Sequence, residues 1–201
     1  MFDAMKKIGI ESEARQRIIA TALDLFYRQG YLATGINQVI AESRVSKNTF
    51  YYYFPSKDDL CVAYLQERHK IWMQWLSDHL KTKSSPYKKL ISLFAFLEKW
   101  LRECDFRGCA FLNIATEVPD VNHRIRKEVV SHKNELRKLF RDLLADLKKS
   151  DKEYSGIDIP LLSDFFYVLF EGTISACQNY GDAALIEKAR KSFDKMLNSG
   201  K

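Results

Sequence analysis

The sequence predicts an all-α protein of about nine helices, with a small three-helix region at the N-terminus and a larger helical region after it. Two observations support this prediction. Apolar residues recur at intervals of three and four along nearly the whole chain, which is the spacing of one face of an α-helix. Four prolines divide this pattern into segments, and no internal repeat or low-complexity tract interrupts it.

The first two helices are predicted from their apolar faces and their ends. The first begins near Ser12 and ends at Gly30, where a left-handed conformation can close a helix. Its apolar face consists of Ile18, Ala22, Leu25 and Phe26. The second helix follows Thr34, whose hydroxyl can cap its N-terminus. Its apolar side consists of Ile36, Val39 and Ile40.

A short third helix is predicted over Lys47–Tyr53. Ser46 precedes it as an N-cap, Phe50 is its inward residue, and Pro55 ends it. Ser43 and Arg44 form the turn before it. The segment from residue 1 to residue 56 is therefore predicted to be one domain, and residues 57–201 a second.

The second domain is predicted to consist of longer helices. Its first helix begins at a capping box formed by Ser56 and Asp59. The later helices are predicted near residues 86–101, 109–118, 122–149, 158–181 and 182–197, with a loop over 105–108. The last two helices carry more apolar surface than one core requires, which predicts a four-helix interface between two copies of the chain. The candidate interface residues are Phe166, Leu169, Phe170, Phe193 and Met196.

Composition limits the possible functions only weakly. The net charge is +6, but the first 60 residues contain eight Lys and Arg against seven Asp and Glu, so charge alone is weak evidence for a polyanionic partner. The four cysteines are scattered and form no CxxC pair, which favours a reducing cytoplasm. No apolar stretch is long enough to predict a membrane span or a secretory signal.

The third helix has the features of a recognition helix that enters the major groove of DNA. It is short, Ser46 and the helix N-terminus offer N–H groups to a phosphate, and Lys47 adds a positive charge. Asn48 and Thr49 are small enough to approach base edges. Three consecutive tyrosines at 51–53 cannot all face a core, because successive helical residues point about 100° apart.

The tract from Arg44 to Leu60, RVSKNTFYYYFPSKDDL, resembles the end of the DNA-binding domain of the TetR family of regulators. The preceding run ALDLFYRQGY, residues 22–31, is similar to the end of that family's first helix. The resemblance covers about fifty residues. It implies a homodimeric regulator that binds operator DNA with its helix-turn-helix and releases it when a small-molecule effector binds.

The resemblance also implies which residues bind DNA. They are Thr34, Ser46, Lys47, Asn48, Thr49, Tyr51, Tyr52, Tyr53 and Lys57. Thr34 and Lys57 are implied to hold phosphates. Three positions depart from the family pattern, because Arg44, Asn48 and Tyr53 replace the more usual Gly, Gly and His. The operator sequence therefore cannot be transferred from relatives.

Arg44 is a further candidate DNA contact. It occupies a turn position that is predicted to need a positive φ, where a side chain is strained. We expect a phosphate contact by its guanidinium to compensate for that strain.

The second domain resembles the family in its layout. The tract around Arg107–Asn113, with Glu117 further on, is similar to one branch of the family. The effector-pocket candidates are Trp72, Phe94, Trp100, Cys109, Phe111, Asn113 and Phe166, although aromatic residues at helical spacing are more often core residues. Cys109 is also predicted to be the most reactive of the four thiols, since it opens a helix close to Arg107; the alternative is a small buried core residue.

Two other classes of protein remain as alternatives. A helical enzyme or small-molecule-binding protein that never contacts DNA would also be all-α, but the chain has no HExxH, no glycine-rich phosphate loop and no nucleophile motif. A non-specific DNA-packaging protein is disfavoured by the low charge of the first 60 residues. No catalytic residue, metal site or cofactor is predicted, because the four histidines show no pairing typical of metal ligands.

Overall fold

A computed structural model describes the backbone of residues 2–199 and the side chains of residues 13–199. Within that range the chain forms nine α-helices and one short 3₁₀ helix at Lys152–Tyr154, with no β-strand, which confirms the predicted all-α class. The helices are α1 Phe2–Arg28, α2 Ile36–Ser43, α3 Lys47–Tyr53, α4 Lys57–Lys81, α5 Pro86–Glu103, α6 Ala110–Glu117, α7 Arg124–Ser150, α8 Ile159–Tyr180 and α9 Ala184–Asn198.

The chain divides into two compact units that differ from the predicted domains. The first, here called the N-terminal unit, contains the chain up to Ile71 together with residues 110–129. The second, the C-terminal unit, contains residues 72–109 and the chain from Val130 onward. The predicted division at residue 56 did not anticipate that residues 110–129 would pack with the first helices; as a division of functions it stays a prediction.

Helix α1 forms the core of the N-terminal unit through one apolar face. Ile18 and Ala22 are completely buried, and Leu25 and Phe26 nearly so, as the periodicity predicts. The helix begins at Phe2, about ten residues before the predicted start. The cap of α2 was also predicted wrongly: its N-cap is Gly35, with no side-chain hydrogen bond.

The predicted caps of α3 and α4 are confirmed. The Ser46 hydroxyl accepts a hydrogen bond from the Thr49 backbone N–H at 3.0 Å and fixes the first turn of α3. Phe50 is completely buried, and α3 packs against α1. At the start of α4, the Ser56 hydroxyl accepts from the Asp59 N–H at 3.2 Å and donates to its carboxylate at 2.7 Å.

The core of the C-terminal unit is a cluster of phenylalanine rings centred on Phe166 of α8. The Phe166 ring stacks on Phe193 at 4.1 Å between centroids and lies 4.5 Å from Phe140 and 5.5 Å from Phe94. Phe170 meets the Phe140 ring edge-on at 5.3 Å. Because these rings come from α5, α7, α8 and α9, the cluster joins four helices in one core.

Helix α8 is apolar on more than one side. Among the described helices it alone has the length and composition of a membrane span, with a mean hydropathy of 1.2 over its most apolar window. Its Phe166, Phe170 and Ile174 are buried in the core of the C-terminal unit. Core helices of soluble proteins share this composition.

Arg44 adopts the left-handed conformation that the sequence predicts for the turn between α2 and α3. Its φ is 53° and its ψ 45°, and its backbone N–H donates to the Ala41 carbonyl at 3.2 Å, which closes α2. A residue with a Cβ is strained in this region of backbone space, and glycine is not.

We therefore predict that Arg44→Gly raises the free energy of unfolding by about 1 kcal/mol. Chemical denaturation of the full chain measures it. The control is Gln38→Gly inside α2, where the backbone is right-handed and glycine should lower stability by about 1 kcal/mol. A loss of stability in both variants would show that the Arg44 turn is unstrained.

Candidate functional site

The exposed side of α3 brings together most of the residues predicted to bind DNA. Ser46, Lys47 and Asn48 are exposed at its N-terminal end, and Thr49 is half-buried behind them. The Thr49 hydroxyl lies 2.8 Å from the Ser46 hydroxyl, so the capping interaction orients both groups. A helix N-terminus with an adjacent ammonium group attracts an anion such as a phosphate.

The three tyrosines of α3 are directed differently, as their succession requires. Tyr52 is 70% exposed and Tyr51 40%, whereas Tyr53 is half-buried and meets the Tyr52 ring edge-on at 5.0 Å. Tyr51 packs edge-on against the buried Phe50 ring at 5.3 Å. Two phenol groups therefore project from α3 while the third supports one of them.

Two predicted phosphate ligands, Thr34 and Lys57, lie outside α3 and differ in their burial. Thr34 is 0% exposed, and its hydroxyl donates to the Gly30 carbonyl at 2.7 Å. The prediction that Thr34 holds a phosphate is therefore wrong for this conformation, because the hydroxyl closes the end of α1 instead. Lys57 is half-buried, and its ammonium group lies 4.6 Å from the centre of the Tyr31 ring. Arg44 is exposed beside the N-terminus of α3.

Glu117, at the end of α6, holds the loop that leads into α2. Its carboxylate accepts a hydrogen bond from the Tyr31 backbone N–H at 3.1 Å and another from the Leu32 N–H at 2.6 Å. Gly30 makes room for it: φ there is 100°, and a Cβ atom would lie 3.1 Å from the carboxylate. On the other side of the loop, Lys57 donates to the Leu32 carbonyl at 3.3 Å. Burial lowers the pKa of Lys57.

A second set of contacts joins the α6–α7 segment to the start of α4. Arg124 forms an ion pair with Asp59 and donates to the Ser56 hydroxyl at 2.8 Å. This pairing holds the pKa of the Asp59 carboxyl below its usual range. His123 lies 3.2 Å from Asp58, which also accepts a hydrogen bond from the Tyr31 hydroxyl. Burial and this hydrogen bond raise the pKa of Tyr31.

Sequence reasoning missed these two sets of contacts. The sequence singles out Glu117 only as part of a family tract and His123 only as one of four histidines without metal-site pairing, and it assigns Arg124 no role. Their partners are about 65 to 86 residues away in the chain, so no local pattern reveals them.

The predicted effector-pocket residues are divided between the two compact units. In the C-terminal unit, the Trp72 ring meets Phe96, Trp100 and His132 edge-on at 5.4 to 5.6 Å. Trp72 is buried, and its indole N–H has no hydrogen-bond partner within the described part of the chain. Phe94 and Phe166 are buried in the phenylalanine core, and their place in an effector pocket stays a prediction. Phe111 and Asn113 lie on α6 in the N-terminal unit.

Cys109 lies immediately before α6 and is only 5% exposed. Its sulfur lies 3.4 Å from the Lys133 ammonium, which also donates to both oxygens of Glu171 at 2.8 and 2.6 Å. Burial lowers the pKa of Lys133, but its interactions with Cys109 and Glu171 outweigh burial and raise it. The core alternative for Cys109 gains support from its burial, and its reactivity stays a prediction.

Some of the predicted dimer contacts are buried within the chain itself, and others are accessible. Phe166, Phe170 and Phe193 are completely buried in the C-terminal unit's own core, so they cannot lie on a surface that meets a second copy. Leu169 is half-buried and Met196 is 39% exposed. The exposed large apolar residues of α8 are others that the prediction did not name: Leu161, Val168 and Tyr180.

Between residues 13 and 199, no three His, Cys, Asp or Glu side chains come together as a metal site would require. The described site therefore has the chemistry of a binding surface. It consists of the N-terminus of α3, the cationic side chains beside it and the phenol groups of its tyrosines. Long-range carboxylate contacts hold the loop that leads into this region.

Comparison with known sequences finds two matching families. Residues 18–64 match the family described as bacterial regulatory proteins, tetR family. Residues 86–193 match the tetracyclin repressor-like C-terminal domain. The first match contains α2 and α3 complete, and the second spans most of the helices that follow α4.

Individual relatives agree with these families. The chain is 27% identical over 145 residues to an uncharacterized HTH-type transcriptional regulator of Lactococcus lactis subsp. lactis, which covers 71% of this chain and 70% of that one. It is 24% identical to the HTH-type transcriptional repressor DhaR of Mycobacterium sp. (strain GP1), over 91% of this chain and 88% of that one. Its fold is similar to a crystal structure of a TetR-family transcriptional regulator from Streptomyces coelicolor, with a TM-score of 0.82, 27% identity, and coverage of 94% and 96%.

We predict that Glu117→Gln lowers the free energy of unfolding by about 1–2 kcal/mol, because the amide can accept only one of the two backbone N–H bonds with its oxygen. The control is Glu128→Gln in the same unit, where one side-chain hydrogen bond to Gln66 is exposed and the change should stay within about 0.5 kcal/mol. Equal effects in chemical denaturation would mean that the Glu117 contacts add no stability.

Proposed function

This chain belongs to the TetR family of bacterial regulatory proteins, and we propose that it is a repressor that binds a pseudo-palindromic operator as a homodimer and releases it when a small molecule binds. The observation that carries the proposal is the capped N-terminus of α3, which presents Lys47 and Asn48 beside the exposed Tyr51 and Tyr52. DNA binding and transcriptional regulation are the family's activity. The relative DhaR carries the name of a repressor.

In the proposed complex, some residues bind phosphates and position the protein on DNA, and others contact base edges and read the sequence. Ser46, Lys47, Arg44 and Lys57 are suited to phosphates, since they offer a helix N-terminus or a positive charge. Asn48 and Thr49 are suited to base edges in the major groove. The tyrosine hydroxyls can reach either. The half-buried Lys57 is also held by the Leu32 carbonyl, so its phosphate contact would be fixed in direction.

Dimer formation is supported by the surface of α8. Leu161 and Val168 are each 67% exposed and lie seven residues apart, which places them on one face of the helix. Gly172 continues that face, and a Cβ there would meet nothing within 4 Å. The exposed Met196 gives α9 an apolar contribution. An apolar stripe of this kind suits an isologous interface with the same stripe of a second copy.

An effector is expected in the C-terminal unit. The buried indole N–H of Trp72, among Phe96, Trp100 and His132, could donate to an acceptor on a ligand. We propose that the protein acts on DNA in the cytoplasm and that it catalyses no reaction. A helical binding protein without DNA affinity is the second candidate, which an electrophoretic shift that survives competitor DNA would exclude.

We predict that Thr49→Ala and Lys57→Ala weaken operator binding in different ways. Removing a phosphate contact should flatten the dependence of log K on log salt concentration by about one unit, whereas removing a base contact should leave the slope unchanged and relax sequence preference. Fluorescence anisotropy with an operator selected from random DNA measures both. Equal slopes in the two variants would contradict the assignment.

We predict that Val168→Asp converts the protein from dimer to monomer, because a charge would enter an apolar interface. Such a monomer should lose most of its operator affinity, since one short recognition helix reads only a few base pairs. The matched control is Val130→Asp on α7, where the valine is 50% exposed. Sedimentation velocity provides the readout. A wild-type monomer that binds a single half-site tightly would refute the dimer.

A further inference from the structure

A groove of about 360 Å³ runs along α4 in the C-terminal unit, and none of the predicted effector-pocket residues lines it. Its walls come from α4 and α7, and α5 contributes at one end. We call it the α4–α7 groove. Its apolar lining consists of Met73, Leu76, Leu80, Leu139 and Leu143. Leu76, Leu80 and Leu143 are buried at its base, while Met73 and Leu139 are half-exposed.

Among residues 13–199, the charged side chains that line the α4–α7 groove are two lysines, Lys81 and Lys89. Lys81 pairs with Asp78 at 2.9 Å on the exposed side of α4. Lys89 is half-exposed, and no carboxylate of residues 13–199 lies within 4.0 Å of its ammonium group. Ser77 adds one hydroxyl. The groove therefore combines an aliphatic base with a positive rim.

A second groove in the same unit shows how specific this combination is. It has a volume of about 420 Å³ and is lined by aromatic side chains, Trp75, Phe96 and Trp100, and by charges of both signs. Flat ligands suit that surface. The α4–α7 groove has no aromatic or acidic lining residue and suits a flexible aliphatic chain.

We infer that the α4–α7 groove binds a free aliphatic carboxylate, with its chain along the leucines and its carboxylate at Lys89. The volume is within the usual range for small-molecule sites. Burial of each methylene of the chain strengthens binding, and the ammonium group contributes a charge-assisted hydrogen bond. This inference goes beyond the proposed function, since it requires no DNA and can hold whether or not the protein is a repressor.

The test is isothermal titration calorimetry of the full chain with octanoate, decanoate and dodecanoate, each below its micelle-forming concentration. Affinity should rise about threefold to fourfold for each added methylene. Decyltrimethylammonium, which has the same chain with a positive head, should bind at least about fivefold more weakly than decanoate, because it faces two lysines. Equal affinity for both would overturn the proposal, as would the absence of any binding.

Two pairs of variants locate the site. Lys89→Gln should weaken decanoate binding about threefold to fivefold, as for an exposed ion pair. Its control is Lys88→Gln on the same helix, where the lysine is exposed and bonded to Ser84 instead. Leu139→Asn should reduce the gain per methylene, and Val130→Asn, on the same helix but outside the groove, should not. Both substituted groove residues are partly exposed, so the fold should tolerate their replacement.

The controls also decide against other interpretations. Equal weakening by Lys88→Gln and Lys89→Gln would mean a general charge effect and would refute the assignment to the groove. Retention of the protein on anionic phospholipid vesicles, without binding of monomeric decanoate, would replace the proposal with a membrane-surface role.

Discussion

The position of the DNA-binding helices depends on one carboxylate, that of Glu117. It accepts two backbone N–H bonds from the loop between α1 and α2, and these donors would otherwise lose their partners at a turn. Gly30 leaves the space for it, and Lys57 donates a hydrogen bond to the carbonyl of the same loop residue, Leu32. A residue from the middle of the chain therefore fixes the entry to the helix-turn-helix.

The contacts of Arg124 and His123 repeat this arrangement at the start of α4. Together they explain why residues 110–129 pack within the N-terminal unit. Glu117 and Arg124 thereby hold both the α1–α2 loop and the N-terminus of α4, which flank α2 and α3 in the chain.

The sequence was sufficient where structure is local. The Ser46 and Ser56 caps, the positive φ of Arg44 and the inward Phe50 depend on residues a few positions apart, and all were predicted. The prediction that Thr34 caps α2 was wrong, because a threonine before a helix can either cap that helix or bury its hydroxyl. Here the hydroxyl is buried and donates to the Gly30 carbonyl. The predicted dimer interface wrongly included three core residues, Phe166, Phe170 and Phe193. Periodicity identifies the apolar faces of a helix but does not show which face meets the core. Glu117 and Arg124 were missed because their partners are distant in the chain.

The aromatic residues are distributed so that the two compact units differ optically. All three tryptophans, Trp72, Trp75 and Trp100, lie in the C-terminal unit, and Trp72 meets Trp100 and His132 edge-on. The fluorescent side chains of the N-terminal unit are tyrosines and phenylalanines, with no tryptophan among them. Tryptophan emission therefore reports on the C-terminal unit alone, and tyrosine emission includes the recognition helix. The native chain thus carries a spectroscopic label for one of its two units, with no dye attached.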